Sequence, residues 1–409
     1  MPIHAVCSPP VHRYRPNRSR ARHSFVEGHA PASSQQEIPG RLHHVKISRL
    51  GSAAALAAVT ALALSSCASN EAPAEGGDAS ASTLSGTLNG IGATSQGAAQ
   101  EAWNAAFQIA NPDVTVTYAG EGSGAGREAF MAGGQNAAFA GSDRALKTDE
   151  LTGTFGQCAD GVKPIDLPAY ISPIALIFQV DGVKELHLDA ATTAGIFKGT
   201  ITKWNDPAIV ALNPDATLPD AGITAVHRSD DSGTTENFAK YLNTTAKTVW
   251  DAEPKGVWPY QGGEAAQGTT GVVDAVKGGS NIIGYADASK AGTLGVAKIK
   301  VGDEFVGYSP EAAAAVVEAS PEAEGREAND VVFDIDYSTT ESGVYPIVLV
   351  SYLIACQEYK DPAVGELVKA YLGYVTSSEG QQLAAEKAGA APLSDTVSAQ
   401  VKTAVESIK

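Results

Sequence analysis

The stretch "VTYAGEGSGAGREAF", Val116 to Phe130, sets Gly120, Gly122 and Ala125 at the spacing G-x-G-x-x-G/A. That spacing is the dinucleotide fingerprint, in which glycines let backbone amides approach a pyrophosphate at a helix start. An acid, Asp143, follows about 20 residues on, where the fingerprint uses one for a ribose hydroxyl. Two further stretches share the plan of a β-like run that ends in glycine and hydroxyl residues, with a helix-like run starting at once. They are "GIGATSQGAA" from Gly90 and "HRSDDSGTTENF" from His227. Each puts unpaired N–H groups and a hydroxyl at the positive end of a helix, which suits an anion. One such loop alone reads as ordinary capping by Ser or Thr. Three in one chain, one of them holding Arg228 with its rigid fork of donors, point to a small tetrahedral oxyanion.

The elements that must position these loops alternate between β-like and helix-like. "TLSGTLNGIGATS" reads as a strand into a turn, and "QGAAQEAWNAAFQIA" as a helix with Trp103, Phe107 and Ala110 on one face. "DVTVTYAG" and "AAFAGSD" read as strands around the short helix "REAFMAGG". "PIALIFQV" and "YPIVLVSYLIAC" are continuously apolar, as for strands buried on both faces. "GITAVHRSD" reads as a strand before a helix that turns Phe238, Tyr241 and Leu242 inward, and residues 309–330 read as an acidic surface helix and loop. The alternation predicts an α/β fold with mostly parallel sheets.

The chain has 409 residues, is 44% hydrophobic and 18% charged, and carries a formal net charge of −17. A surface this acidic excludes nucleic acid and anionic membranes as broad partners, so an anion must be held by local hydrogen bonds. Lys46 and Arg49 precede the apolar segment Leu50–Leu64, which has the length of a signal-peptide core and is too short to span a bilayer comfortably. "LSSC" then resembles the lipobox of bacterial lipoproteins, so 45–66 is expected to be a signal peptide and Cys67 the lipidated first residue. Residues 1–44 show no apolar period and are expected to be a gene-model extension, with translation starting at Val45. The small, polar residues 67–83 are expected to be a flexible tether. Cys158 and Cys356 remain, an even pair that in an exported chain suggests a disulfide, the alternative being two separate buried thiols. No Cys/His cluster has metal-ligand spacing, and no metal or cofactor is expected.

"GIGATS", "YAGEGSGAG", "FAGSDRAL", "IFKGTITKWNDPAIVALNPDATLP" and "HRSDDSGTTENF" together, in that order, resemble the phosphate-binding lipoprotein of the ABC phosphate importer, the PstS family. "GGSNIIGYAD" and "YPIVLVSYLIA" fit as well. The resemblance implies a two-lobed, periplasmic-binding-protein-like fold of type II, with two crossovers and the ligand in the cleft. Residues 84–172 plus 341–409 are expected to form the first lobe and 173–340 the second, and the bound form to dock on the permease. It implies a phosphate cage of Thr94, Ser95, Ser123, Asp143, Arg228, Ser232, Gly233 and Thr234, with Asp230 orienting Arg228. In the long "KW-D-AI--LNP---LP" run the expected roles are structural, Trp204 as a packing anchor and Asn213-Pro214 as a turn. The implied protein is a monomer that is not an enzyme, held at the outer face of the cytoplasmic membrane by its lipid alone.

Within that cage Asp143 has the most informative physics. A carboxylate repels an anion unless the anion brings a proton, and phosphate near neutral pH keeps one. Sulfate has none to give and would meet a buried lone pair with no hydrogen between. Rival readings are a binding protein for another tetrahedral oxyanion, a sensor or scavenger without a transporter, a secreted phosphoester hydrolase with a serine in "SDDSGTT", and an NAD-dependent enzyme. The last two are weakened by the sequence. The fingerprint loop follows a second strand rather than a first, no P-loop is present, and only His187 and His227 follow residue 44.

Overall fold

A computed structural model describes residues 82–409. The expectations for 1–44, for 45–66, for Cys67 and for the tether up to residue 81 lie outside those residues. At the end of the tether Ser82 is already docked, its hydroxyl donating to Asn111 Oδ1 at 2.5 Å.

The chain opens with β1 (Gly86–Gly92), α1 (Gly97–Ala110), β2 (Val114–Ala119), α2 (Ser123–Ala132) and β3 (Ala137–Ser142). There follow β4 (Pro164–Gln179), β5 (His187–Leu188), α3 (Ala190–Lys198), α4 (Pro207–Leu212), β6 (Thr224–Arg228), α5 (Gly233–Thr245), β7 (Glu264–Ala266) and α6 (Gly268–Gly278). The rest comprises β8 (Ile282–Asp287), β9 (Gly295–Val296), β10 (Lys298–Val301), β11 (Glu304–Val306), α7 (Pro310–Ala319), β12 (Val348–Cys356), α8 (Pro362–Val375), α9 (Ser378–Ala388) and α10 (Asp395–Glu406).

The main sheet runs β2-β1-β3-β12-β4-β8-β6-β7, with β9 also on β4, and a small sheet runs β11-β10-β5. β1 is parallel to both β2 and β3, and β6 is parallel to both β7 and β8. Each parallel group therefore delivers its strand ends, and the loops after them, to one edge, where α/β sheets bind ligands. The centre differs from the expected parallel arrangement: β12 is antiparallel to β3 and to β4, and β4 to β8. Burial on both faces made these runs apolar, and that pattern carries no information on direction.

β4 is also longer than its apolar half. The run from Pro173 was expected as a strand, but the strand begins at Pro164. Prolines break the strand pattern because they give no N–H to a ladder. Here Pro164 opens the strand, Pro168 stands where the ladder with β12 slips, and Pro173 is the last residue paired with β12. From Ile174 the partner on that stretch is β8.

One continuous core runs beneath both groups of loops. Trp103 and Phe107 of α1 are buried in it as expected, Trp103 donating to Gly380 O at 2.7 Å and Phe107 packing edge-on to Tyr371. Ala110, placed on the same face in the sequence, is exposed at the helix end. In the same core Phe238 stacks on Tyr285 at 4.5 Å and meets Phe197 edge-on at 5.0 Å. Trp204 is fully buried there. Asn213 does more than turn the chain, since its amide accepts from His187 N at 2.8 Å and donates to His187 O at 2.9 Å. The stretch read as a surface loop after α7 is laced to the centre of the sheet. Asp166 N donates to Asp330 Oδ1 at 2.9 Å, and Phe333 N donates to Tyr352 OH at 3.2 Å. Cys158 and Cys356 form a disulfide with Cα atoms 5.1 Å apart, tying the loop after β3 to the end of β12. Among the described residues no helix is long and apolar enough to cross a membrane.

Candidate anion-binding site

The loops after β1, β2, β3 and β6 meet in one place. Thr94 and Ser95 lead into α1, Ser123 is the first residue of α2, Asp143 follows β3, Arg228 ends β6, and Ser232 caps α5. The approach is close. A Cβ on Gly233 would stand 2.7 Å from the Asp143 Cβ and 2.9 Å from Ser123 Oγ, so only glycine lets the start of α5 reach the opposite loops. Gly122 at φ 105° plays the same part from the other side, its absent Cβ leaving room for Asp230.

Three hydroxyls are pinned in a common way. Ser123 Oγ accepts from Asp143 N at 3.1 Å, Ser232 Oγ from Thr235 N at 3.2 Å, and Thr94 Oγ1 from Thr269 N at 3.0 Å. A hydroxyl that accepts a backbone N–H has its oxygen fixed and keeps its own proton to donate. Only Ser232 is a helix cap in the usual sense. Thr94 also lies 2.9 Å from the Thr269 hydroxyl.

A second group of hydroxyls serves Asp143, which is 2% exposed. Its Oδ1 accepts from Ser95 Oγ at 2.5 Å and Ser351 Oγ at 2.6 Å, and its Oδ2 from Thr234 Oγ1 at 2.7 Å. The side chain of Ser95 thus points to Asp143. A carboxylate takes about four hydrogen bonds. Oδ1 is filled, and Oδ2 keeps one acceptor direction.

Arg228 is 3% exposed and pairs with Asp230, Nε lying 2.7 Å from Oδ1 and Nη2 bonding Oδ2. This bidentate fork leaves Nη1 outside the pair. Asp230 Oδ1 also accepts from Gly268 N at 2.9 Å. Burial raises the Asp230 carboxyl, but the guanidinium and the amide outweigh it and hold the group below the usual carboxylate range. His227, beside Arg228, is turned away and stacks on Trp258 at 4.6 Å. Among the described residues no group of three or more His, Cys, Asp or Glu could hold a metal.

Behind Asp143 lies a set of charges. Arg144 grips Glu150 through both Nη atoms at 2.6 and 2.8 Å. Burial pushes the Glu150 carboxyl up, yet Arg144 and the Lys147 amide prevail and bring it down to about 2. Arg127 is nearly buried, and that burial with Arg144 nearby lowers its guanidinium below its ordinary value.

A family model described as a PBP superfamily domain matches residues 77–379. Phosphate-binding protein PstS3 of Mycobacterium bovis is 37% identical over 381 residues, covering 89% of this chain and all of that protein. The chain belongs to the PstS family. Phosphate-binding protein PstS2 of Mycobacterium bovis is 34% identical over 377 residues, with 89% of this chain and all of that protein covered. The fold is that of a high-affinity periplasmic phosphate-binding protein solved with phosphate bound, at a TM-score of 0.61 and 23% identity over 78% of this chain and 93% of that one. A phosphate-binding protein from Stenotrophomonas maltophilia matches at a TM-score of 0.60 and 20% identity, with 78% and 93% covered.

In this PstS-family chain the eight residues singled out in the sequence are drawn together with Asp230, and four further participants escaped notice. Ser351 is the one serine in the middle of an apolar run, and a small polar residue in a strand buried on both faces was the available signal. Thr269 belongs to a fourth strand–glycine–hydroxyl–helix unit, "AAQGTTGVV", of the kind already read three times. Asn237 donates to Asp143 O at 2.6 Å and accepts from Tyr337 OH at 2.6 Å. Tyr285 accepts from Arg228 N at 3.3 Å. Nothing local marks Asn237 or Tyr285, because their partners are distant in sequence.

Proposed function

We propose that this chain is an extracytoplasmic binding protein that captures inorganic phosphate and hands it to an ABC-type phosphate permease. The observation that carries this is the hydrogen inventory of the site. Ser123 and Ser232 each hold a proton to give, Thr94 shares one with the Thr269 hydroxyl 2.9 Å away, Arg228 Nη1 is uncommitted, and α5 begins at Gly233 and Thr234, where helix amides favour an anion. Against these donors stands one acceptor, the spare direction of Asp143 Oδ2. Phosphate carrying one proton matches that set: its bare oxygens take the donors and its O–H goes to Asp143. Sulfate offers the same oxygens but no O–H, and meets the carboxylate unshielded.

The lobes divide in this reading into 84–172 plus 341–409 and 173–340. The change of β4 partner after Pro173 supports the first boundary, and the lacing of 326–333 to β4 and β12 draws that stretch toward the first lobe. Phosphate bridges the lobes and favours the closed form, because only that form makes both sets of contacts. Cys67 carries the lipid after removal of 45–66, and 67–83 spaces the domain, a monomer, from the membrane.

Calorimetry of the purified protein with phosphate, sulfate and arsenate tests the reading. Phosphate is expected to bind and sulfate to be rejected. In Asp143→Asn, rejection of sulfate is expected to weaken by more than phosphate affinity falls. Unchanged rejection in that variant sinks the role given to Asp143.

A further inference from the structure

Five charged side chains join the loops around Asp143 to the start of α5 without belonging to the anion contacts. Arg144, the residue after Asp143, places Nε 3.0 Å from Glu236 Oε2, with both side chains less than a tenth exposed. Lys147 Nζ stands 3.8 Å from the other Glu236 oxygen. On the opposite side, Arg127 of α2 reaches Asp231 at 3.2 Å, next to the backbone bond from Gly124 N to Asp231 O at 3.1 Å. The two acids flank the segment Ser232–Thr234, one before it and one after.

Each group keeps a second partner on its own side of the cleft. Arg144 has the bidentate bond to Glu150. Arg127 has Ser142 Oγ at 2.9 Å. Glu236 has Lys240 Nζ at 3.6 Å on its own helix. Asp231 has water, its side chain being 47% exposed. This matters because a buried charge stripped of its sole partner is strongly destabilising, and such a pair would weld the lobes together. With a fallback on each side the pairs can separate without stranding a charge. A cavity of 170 Å³ lined in part by Arg144, Lys147, Glu236 and Lys240 adjoins the buried pair and gives water a place beside it.

We propose that Arg144–Glu236 and Arg127–Asp231 are closure latches, positioning residues that set how long the closed form retains its anion. They form only when the lobes meet, so they favour the closed state over the open one and slow release rather than speed capture. The inference rests on the reading that two lobes close on phosphate.

The test is a double-mutant cycle in the purified protein with Arg144→Met, Glu236→Gln and both together, using inorganic phosphate as the probe. Each single change is expected to raise Kd about tenfold, nearly all of it in the dissociation rate measured by stopped flow. The double variant is expected to lose no more than either single one, because the two residues share one interaction. In Glu236→Gln the unfolding midpoint without phosphate is expected to stay where it is, whereas Arg144→Met lowers it by releasing Glu150. Independent, multiplying losses, an unchanged Kd, or losses in Glu236→Gln matched by a fall in its midpoint overturn the proposal. Should Arg144→Met fail to fold, Asp231→Asn at the exposed lip carries the same expectation for the second latch. An unaltered protein that binds no phosphate refutes the phosphate reading instead. The latches are then judged by spin-label distances between the lobes in Glu236→Gln and Asp231→Asn. A shift to longer distances upholds them, and an unchanged distribution overturns them.

Discussion

The loops after β1, β2 and β3 and the loop after β6 face one another with unlike chemistry. The first set brings hydroxyls and a carboxylate, and carries no cation that points to the same place. The second brings Arg228 and the start of α5, with the guanidinium already half committed to Asp230. Neither side alone is a strong anion receptor. On the proposed reading holding and sorting are divided: the β6 side would supply positive potential, while the β1–β3 side would count protons through Asp143. A chain with a formal net charge of −17 can bind an anion selectively on these terms, because its field at long range plays little part.

The sharpest way to break this comparison is Arg228→Met. Removing it leaves Asp230 without its partner, and truncating one member of a buried charge pair costs about 2–5 kcal/mol. Calorimetry is expected to show phosphate affinity falling by about one and a half to three and a half orders of magnitude, with the phosphate-to-sulfate ratio little changed. Ser123→Ala probes the other side. One hydrogen bond to a charged group contributes about 1.5–3 kcal/mol, so the loss should be smaller than for Arg228→Met. A loss as large would mean the two sides are not divided in this way. The smallest effect is expected from Thr269→Val, which keeps the backbone N–H that fixes Thr94 and loses only the hydroxyl at 2.9 Å. A neutral hydrogen bond contributes about 0.5–1.5 kcal/mol, a few-fold in Kd, and Thr269→Ser should restore it.

Local pattern is what made much of the site legible. Thr94, Ser123, Asp143 and Arg228 each sit where a strand gives way to a glycine-rich turn, and such a turn announces itself within ten residues. Ser351 and Asn237 act through partners 208 and 94 residues away, and no window of sequence holds both ends of such a bond. The same contrast runs through the fold. The β1–α1–β2–α2–β3 series follows its period of two and then of 3.6. β4 was half missed because its prolines argue against a central strand, and they are tolerated only where a ladder starts, slips or changes partner. The dinucleotide fingerprint marked a turn where glycines let backbone come close, as Gly122 does beside Asp230, and Asp143 stands buried among hydroxyls. On the proposed reading, an acceptor held by Ser95, Ser351 and Thr234 would take an acidic O–H of the ligand.

The disulfide bears on the order in which the molecule can be completed. Cys158 and Cys356 are separated by 198 positions, and everything from β5 to α7 is made between them. Cys158 can take its native partner only once Cys356, at the end of β12, has been made. β3 and the first half of β4 wait too, for β12 to fill the gap between them. The half of the molecule that begins first is therefore finished last. A truncation that removes only α8 to α10 would damage the loops of Thr94 and Asp143, at the far end of the sequence, before it touched those of Arg228.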